Sequence, residues 1–511
     1  MKMVSHKQQF LKNVGSGWLA QTSAAIVGFI MLPYNLSHLG NEVYGISVLA
    51  VSAIAMLEFL SLGMKQALLR FFSQAITKND KVELAFLSST SQLILGGLGL
   101  LGCFLILAAI PWFLHLYGIV PAHRHETAIL LICLAITFFQ RFHTMVFANI
   151  LMASHRFDLV NFNSILASWL RLALLIFFYT IFNSSLIELG LATILANTFN
   201  YLTTILLSLK QHGKIILFSP RKVTTSCLPS LFSFSALTMV DTVFYAASIQ
   251  LPVMITGKTL GKEMAAFFSP AVLVVYYFTS LMAQMANPLA PLASRDLLEN
   301  HGKNIGHWAT LFGQLIAAIG YGCIFVSVLF MPDILRLWLG SGFIWTSATV
   351  TILLTGIVYE QIQAVNYNLA LGASTIAPFA YSSVMMAILI SFGTLLGTMY
   401  WHWGLLEVAV YITTVRILRN MFFLAAIYSR LFHYSFADYF SKVYIRPTFS
   451  SCILFVAILL CQPWFAADMP PGFVLLGVKI IGVGSLYFGM TWICSLSGET
   501  KALFFKEKNH H

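Results

Sequence analysis

Charge is scarce in this sequence. Only 9% of its 511 residues are Asp, Glu, Lys or Arg, against about 25% in an ordinary soluble domain, so a soluble multi-domain reading lacks the surface it needs. Cysteine chemistry is lacking too. The seven cysteines are odd in number, fall inside or at the edge of apolar segments and form no CxxC pair. That excludes a disulfide framework and a zinc site and leaves packing as their role. No glycine-rich phosphate loop argues for ATP, and no cofactor or metal is expected. A membrane polymerase or ligase would need a long outer loop or an acidic catalytic cluster, and neither is there. No basic block or aromatic-basic motif points to nucleic acid.

What is abundant is apolar length. The chain is 59% hydrophobic, and at about 20 residues per span it is long enough for a dozen or more crossings. Hydropathy and turn signals predict spans near 11–36, 43–66, 85–112, 127–152, 158–182, 186–208, 227–255, 264–288, 307–331, 346–370, 377–399, 405–428, 448–467 and 473–496. Lys2, Lys7 and Lys12 precede the first, but no small-x-small cleavage site follows, so it is expected as a retained helix. The basic residues test this count separately. With both termini in the cytoplasm, the outer loops hold only Arg124, Lys258, Lys262 and Arg336, and the spans hold Arg141, Arg171, Arg416, Arg419 and Lys479. All the others of the 29 Lys and Arg fall on the cytoplasmic side, the bias expected of an inside-positive membrane protein. The formal charge of +11 therefore reads as orientation and contact with anionic membrane lipids.

The chain also repeats. Leu32-Pro33 matches Leu251-Pro252 at an offset of 219 residues, and each is followed by one turn pattern, Leu39-Gly40-Asn41-Glu42 and Leu260-Gly261-Lys262-Glu263. Asn149 meets Asn368, Leu186 meets Leu405 and Glu188 meets Glu407 at the same offset. Spans 1–6 (residues 1–222) and 7–12 (223–446) thus read as parallel copies, with spans 13–14 and a tail (447–511) added. Parallel six-helix halves put a substrate cavity on the axis between them. Pro33 and Pro252 each remove a hydrogen bond inside a span, as a packing kink or as a bend shared by both halves.

An ionisable residue inside a span is costly unless it faces protein or water, so each is a site candidate. Glu58, Arg141, Arg171, Asp241, Glu360, Arg416 and Arg419 lie mid-span, Lys479 nearer an outer end. Glu58, Arg141, Arg171 and Asp241 favour a cavity role. Arg141 and Glu360 occupy equivalent repeat positions, where they would face each other or the cavity. Arg416 and Arg419, three apart, suit a phosphate or a pair of carboxylates, or else pair structurally with other charges. Gln21 with Thr22 and Ser23, and Tyr276, Tyr277, Thr279, Ser280 and Gln284, bring rings and hydrogen-bonding groups that suit a sugar.

Local runs carry a family resemblance. Leu39-Gly40-Asn41-Glu42-Val43-Tyr44-Gly45 and Leu62-Gly63-Met64-Lys65-Gln66-Ala67-Leu68-Leu69-Arg70-Phe71 resemble the polysaccharide (Wzx-like) branch of the multidrug/oligosaccharidyl-lipid/polysaccharide exporter superfamily. So do Ala148–Asp158, at the end of the fourth span, and Asn287–Arg295, at the end of the eighth. The resemblance covers residues 1–300. It implies an all-α membrane protein of about 14 helices, with two six-helix lobes around a V-shaped cavity lined by helices 1, 2, 7 and 8. Glu58 and Asp241 would line that cavity, and arginines would suit a diphosphate. The implied cargo is a polyprenyl-diphosphate-linked oligosaccharide moved from the inner to the outer leaflet of a bacterial cytoplasmic membrane. Helices 13 and 14 would hold its lipid tail, H⁺ or Na⁺ would be the coupling ion, and glycan polymerases or other assembly proteins would be partners. Glu58 and Asp241 fit an anion cavity poorly and suit ion coupling instead. The arginine- and acid-rich signatures of the lipid II flippases in helices 1 and 2 are absent. A cation-coupled multidrug antiporter of the same superfold, a membrane glycan enzyme and a non-transporting scaffold are the alternatives.

Overall fold

The computed structural model describes residues 6–61, 64–224, 236–449, 451–453 and 472–494. Among these residues no strand occurs, and eleven helical stretches are long and apolar enough to cross a bilayer. Helices dominate because a backbone inside hydrocarbon must satisfy its own hydrogen bonds. By internal contacts the chain forms two units, Met1–Ala266 and Phe267–His511.

The first unit opens with α1 (His6–Met56), which is not one rod. At Gly40 the backbone takes φ 73°, ψ 169°, a left-handed conformation open to glycine at little cost. The break divides a single apolar stretch, Gly15–Met56, between the first and second expected spans. That stretch gives way to a 3-10 turn, Leu57–Ser61, and a separate short helix α2 (Met64–Thr77). There follow α3 (Lys81–Leu116), α4 (Pro121–Ala153), α5 (Phe157–Ile181), α6 (Leu186–His212) and α7 (Ala236–Thr259). Helix α4 is central, packed against α2, α3, α5 and α6. A Cβ on Gly99 of α3 would lie 3.0 Å from Phe142 of α4, so the small residue sets how closely these helices approach. Hydrogen bonds between spans fix the register: Gln140 to Thr198 at 2.8 Å, Asn163 to Thr204 at 2.9 Å and Ser208 to the Phe147 carbonyl at 2.9 Å. Helix α7 packs along α1 and is therefore grouped with the first unit, although the repeat relates it to the first span of the second copy.

The turn after α7 matches the turn in α1. Gly261 has φ 108°, as Gly40 has φ 73°, and the two turns meet directly. Lys262 bonds Glu42 at 2.8 Å, and a Cβ on Gly45 would run into the Lys262 carbonyl. Both glycines of the two runs thus have positive φ.

The second unit takes up α8 (Lys262–Ala286) from Phe267 onward. It continues with α9 (Leu289–Asn300), α10 (Ile305–Leu339), α11 (Ser347–Gly372), α12 (Ala377–Tyr400) and α13 (Leu405–Ile417). A wider π-helical stretch, Leu418–Leu424, joins α13 to α14 (Ala425–Leu431). Helix α11 is the counterpart of α4, packed against α9, α10 and α13. Gly320 of α10 meets Val358 of α11 as Gly99 meets α4. Pro111 in α3 and Pro332 in α10 are a further proline pair inside corresponding helices, beside Pro33 and Pro252.

The connection around Arg430–Arg446, expected as a cytoplasmic loop, is instead a short helix α15 (Phe436–Phe440) and a π-turn, Ser441–Ile445. It buries Tyr439 and Tyr444 completely or nearly so. The expected thirteenth span, 448–467, lies outside the described residues except at its start. The fourteenth corresponds to α16 (Phe473–Cys494), which packs on α10.

Candidate functional site

In the first unit two of the charges expected mid-span, Glu58 and Arg141, meet at an open cleft. Glu58, on the 3-10 turn that follows α1, receives Arg141 of α4 at 2.6 Å. The two side chains are 47% and 57% exposed. Beside them is a cleft of about 110 Å³ with Ser61, Phe138, Phe142 and Met145 on its walls. The turn that unwinds the end of α1 is what carries Glu58 to α4. An exposed guanidinium in such a place has donors left over for a second anion, because a carboxylate engages only part of its five-donor fork.

Of the other candidates in this unit, Arg171 on α5 and Gln21 on α1 are half-buried, and Asp241 on α7 is buried. Arg171 and Asp241 are both engaged with neighbouring groups. Ser23, next to Gln21, accepts a hydrogen bond from the Trp169 indole at 2.8 Å, so the polar start of α1 is tied to α5. Pro33 is half-buried and Pro252 buried within their helices.

In the second unit the same search leads into the protein interior. Glu360 of α11 pairs with Arg416 of α13, and both side chains are buried, 9% and 4% exposed. Arg419 bonds Ser382 at 3.0 Å and Ser383 at 2.7 Å, with its guanidinium 5.9 Å from the Phe379 ring. Arg416 and Arg419 thus serve different partners rather than one shared anion. Arg141 and Glu360, equivalent in the repeat, each bind within their own unit. Tyr277 and Gln284, on α8, are half-buried.

Sequence reading missed a buried network beside the Glu360 pair. Gln363 donates to the Tyr444 hydroxyl at 2.9 Å, Asn366 to Gln363 at 2.8 Å, and Tyr359 stacks on Tyr444 with centroids 5.7 Å apart. The run Tyr359-Glu360-Gln361-Ile362-Gln363 with Asn366 was a readable signal, since polar groups every three or four residues in an apolar span require partners. Among the described residues no cluster of His, Cys, Asp or Glu could hold a metal ion.

Comparison with known proteins agrees with this architecture. The chain is similar in structure to a multidrug resistance MATE family transporter of the MOP superfamily in an inward-facing conformation. The TM-score is 0.70 at 15% identity, over 80% of this chain and 95% of that one. It is likewise similar to the lipid II flippase MurJ in an inward closed conformation, with a TM-score of 0.67 at 13% identity over 96% and 98% of the two chains. A MOP superfamily transporter from Pyrococcus furiosus matches with a TM-score of 0.64 at 14% identity over 85% and 96%. These neighbours are transporters and a flippase rather than enzymes, and at such identities they establish the fold. No curated protein matches the sequence. The family model for polysaccharide biosynthesis proteins matches residues 10–295, more than half of the chain. This multi-pass membrane protein therefore belongs to the polysaccharide biosynthesis protein family and has the fold of MOP superfamily transporters and flippases.

Proposed function

We propose that this chain is a flippase that moves a polyprenyl-diphosphate-linked oligosaccharide from the inner to the outer leaflet of a bacterial cytoplasmic membrane, by ion-coupled alternating access. Its termini are cytoplasmic in this reading, and residues 1–222 and 223–446 are the two lobes that rock. The observation that supports it is the open Glu58–Arg141 pair in a member of the polysaccharide biosynthesis family.

An arginine matches a diphosphate with a planar fork of donors, and a diphosphate carries more charge than the single carboxylate it would displace. Cargo entry then transfers Arg141 from Glu58 to the diphosphate. Release of Glu58 from Arg141 is the step that links cargo to the coupling ion in this reading. Arg171 and Asp241 are further members of the cargo path in this reading, with Gln21, Tyr277 and Gln284 toward the sugar. Glu360 is assigned a structural role by its buried partner.

The test is translocation of a polyprenyl-diphosphate oligosaccharide in liposomes. Arg141→Ala is expected to slow it at least tenfold. Glu58→Gln is expected to keep cargo binding and lose the response to a pH gradient. Wild-type rates in both variants would sink the proposal. A cation-coupled multidrug antiporter is the second reading, favoured by the buried acid Asp241 and by the MATE neighbour. Uptake of a cationic dye, lost in Asp241→Asn, with no oligosaccharide movement would select it.

A further inference from the structure

At one end of the first unit, the close of α2, the α2–α3 turn and the stretch after α6 enclose a cavity of about 450 Å³. Its apolar lining comes from Ala75, Ile76, Leu84 and Ile215. Lys81 and Lys214 line it with His212, and neither lysine makes an ion pair among the described residues.

The acid in this lining has a capping role. Asp80 caps α3, its carboxylate accepting the amides of Val82 and Glu83 at 2.9 and 2.8 Å. The walls are fixed as well. The His212 ring is held by the Ser154 hydroxyl at 2.7 Å. The stretch that carries Lys214 and Ile215 is anchored to α3, where Ser88 and Gln92 donate to the Ile216 carbonyl at 2.7 and 2.8 Å. Ser89 and Thr90 accept the amides of Ser219 and Thr224. A row of buried polar residues in α3, Ser88 to Gln92, thus holds one wall of the cavity in place.

Lys81 opens an apolar helix, Lys81–Leu116, and the basic residues assign this end of it to the cytoplasmic face, where anionic headgroups attract lysines. Lysines and apolar side chains lining one cavity suit a phosphate ester that carries an apolar chain. We propose that this cavity binds the headgroup of an anionic phospholipid, with Lys81 and Lys214 as its charge partners. The site is separate from the Glu58–Arg141 cleft and does not depend on the flippase reading.

The second unit supplies an internal control. At the start of α10 and beyond α14 it has a smaller cavity of about 190 Å³, lined in part by Gln314, Tyr434, Asp438 and Lys442. There the lysine is neutralised, Lys442 bonding Asp438 at 2.6 Å. That cavity offers no spare cation and is expected not to select anionic lipid.

The experiment titrates the purified full-length protein in detergent with short-chain phosphatidylglycerol or phosphatidylcholine and reads bound lipid by native mass spectrometry. A basic residue near an anionic surface contributes about 1 kcal/mol, so the double variant Lys81→Gln/Lys214→Gln is expected to lose about thirty-fold in phosphatidylglycerol affinity. Phosphatidylcholine binding and Lys442→Gln are expected to show no change. Should the double variant fail to fold, each single variant is expected to lose about five-fold. Wild-type affinity in the lysine variants would overturn the proposal. Millimolar inorganic phosphate is expected not to displace the lipid; displacement would make the ligand a free phosphate and overturn the lipid assignment.

Discussion

Arg141 and Glu360 stand 219 residues apart at the same place in two copies of one repeat, yet their surroundings are opposite. In the first unit the arginine is on α4, its acid comes from the turn after α1, and both are about half exposed. In the second the acid is on α11, its arginine comes from α13, and both are buried. Positions that the sequence reading pairs at this offset thus carry charges of opposite sign and opposite exposure. An exposed pair in a high dielectric is held weakly and can exchange partners. A buried pair can be strongly disrupted only at the cost of leaving one charge alone in a low dielectric. One scaffold thus carries an exchangeable pair in one unit and a fixed pair in the other.

The largest effect expected from this contrast is in the second unit. Arg416→Ala strands Glu360 and is expected to destabilise the protein by about 3–5 kcal/mol, while the joint change Glu360→Leu with Arg416→Met recovers most of it. Thermal unfolding in detergent measures both, and a tolerated Arg416→Ala would erase the distinction between the two pairs. Next comes the network around Glu360. Tyr444→Phe removes the acceptor of the buried Gln363 amide and is expected to cost about 1–3 kcal/mol in the same assay. Smallest in stability is Arg141→Ala, expected at below about 1 kcal/mol because its pair is exposed, although in the transport assay it is the variant with the large loss. An unfolding shift as large as that of Arg416→Ala would mean that the first pair is structural too.

The two polar interiors sharpen the same contrast. In the first unit, bonds such as Gln140 to Thr198 and Asn163 to Thr204 join neutral groups of neighbouring spans. In the second, the ion pair and Arg419 lie in the same interior as the neutral bonds. Thr198→Val, which leaves the Gln140 amide without its acceptor, is expected to cost about 0.6 kcal/mol, the average for hydrogen bonds between membrane helices. Double-mutant cycles pairing it with Gln140→Leu, and Tyr444→Phe with Gln363→Leu, measure whether coupling is stronger beside the buried charges.

Much of the fold was legible in particular residues. Gly40 and Gly261 mark their turns because those positions take a left-handed backbone. Pro33 and Pro252 flagged corresponding helices. The caps of α3 and α6, Asp80 and Ser185, were a readable signal that the sequence analysis did not use. Tyr439 and Tyr444 were not legible as interior, because the segment 430–446 carries Arg430, Lys442 and Arg446 and reads as a loop by charge. Its apolar face became visible only when folded against α10. Glu58, Arg141, Glu360 and Arg416 were each identifiable as ionisable residues in spans, but not who pairs with whom. Their partners lie 83 and 56 positions away in the chain, and nothing local in the sequence encodes that distance.

By itself the sequence determined that this is a helical membrane protein and marked most of the apolar helices found among the described residues. The bilayer imposes those features one segment at a time, since each span must be apolar and satisfy its own backbone. Only the tertiary structure decided which charges meet, which of those pairs are buried and which loop is core. Those outcomes depend on lateral packing between helices far apart in the chain, which sets both the distance between two charges and the dielectric around them.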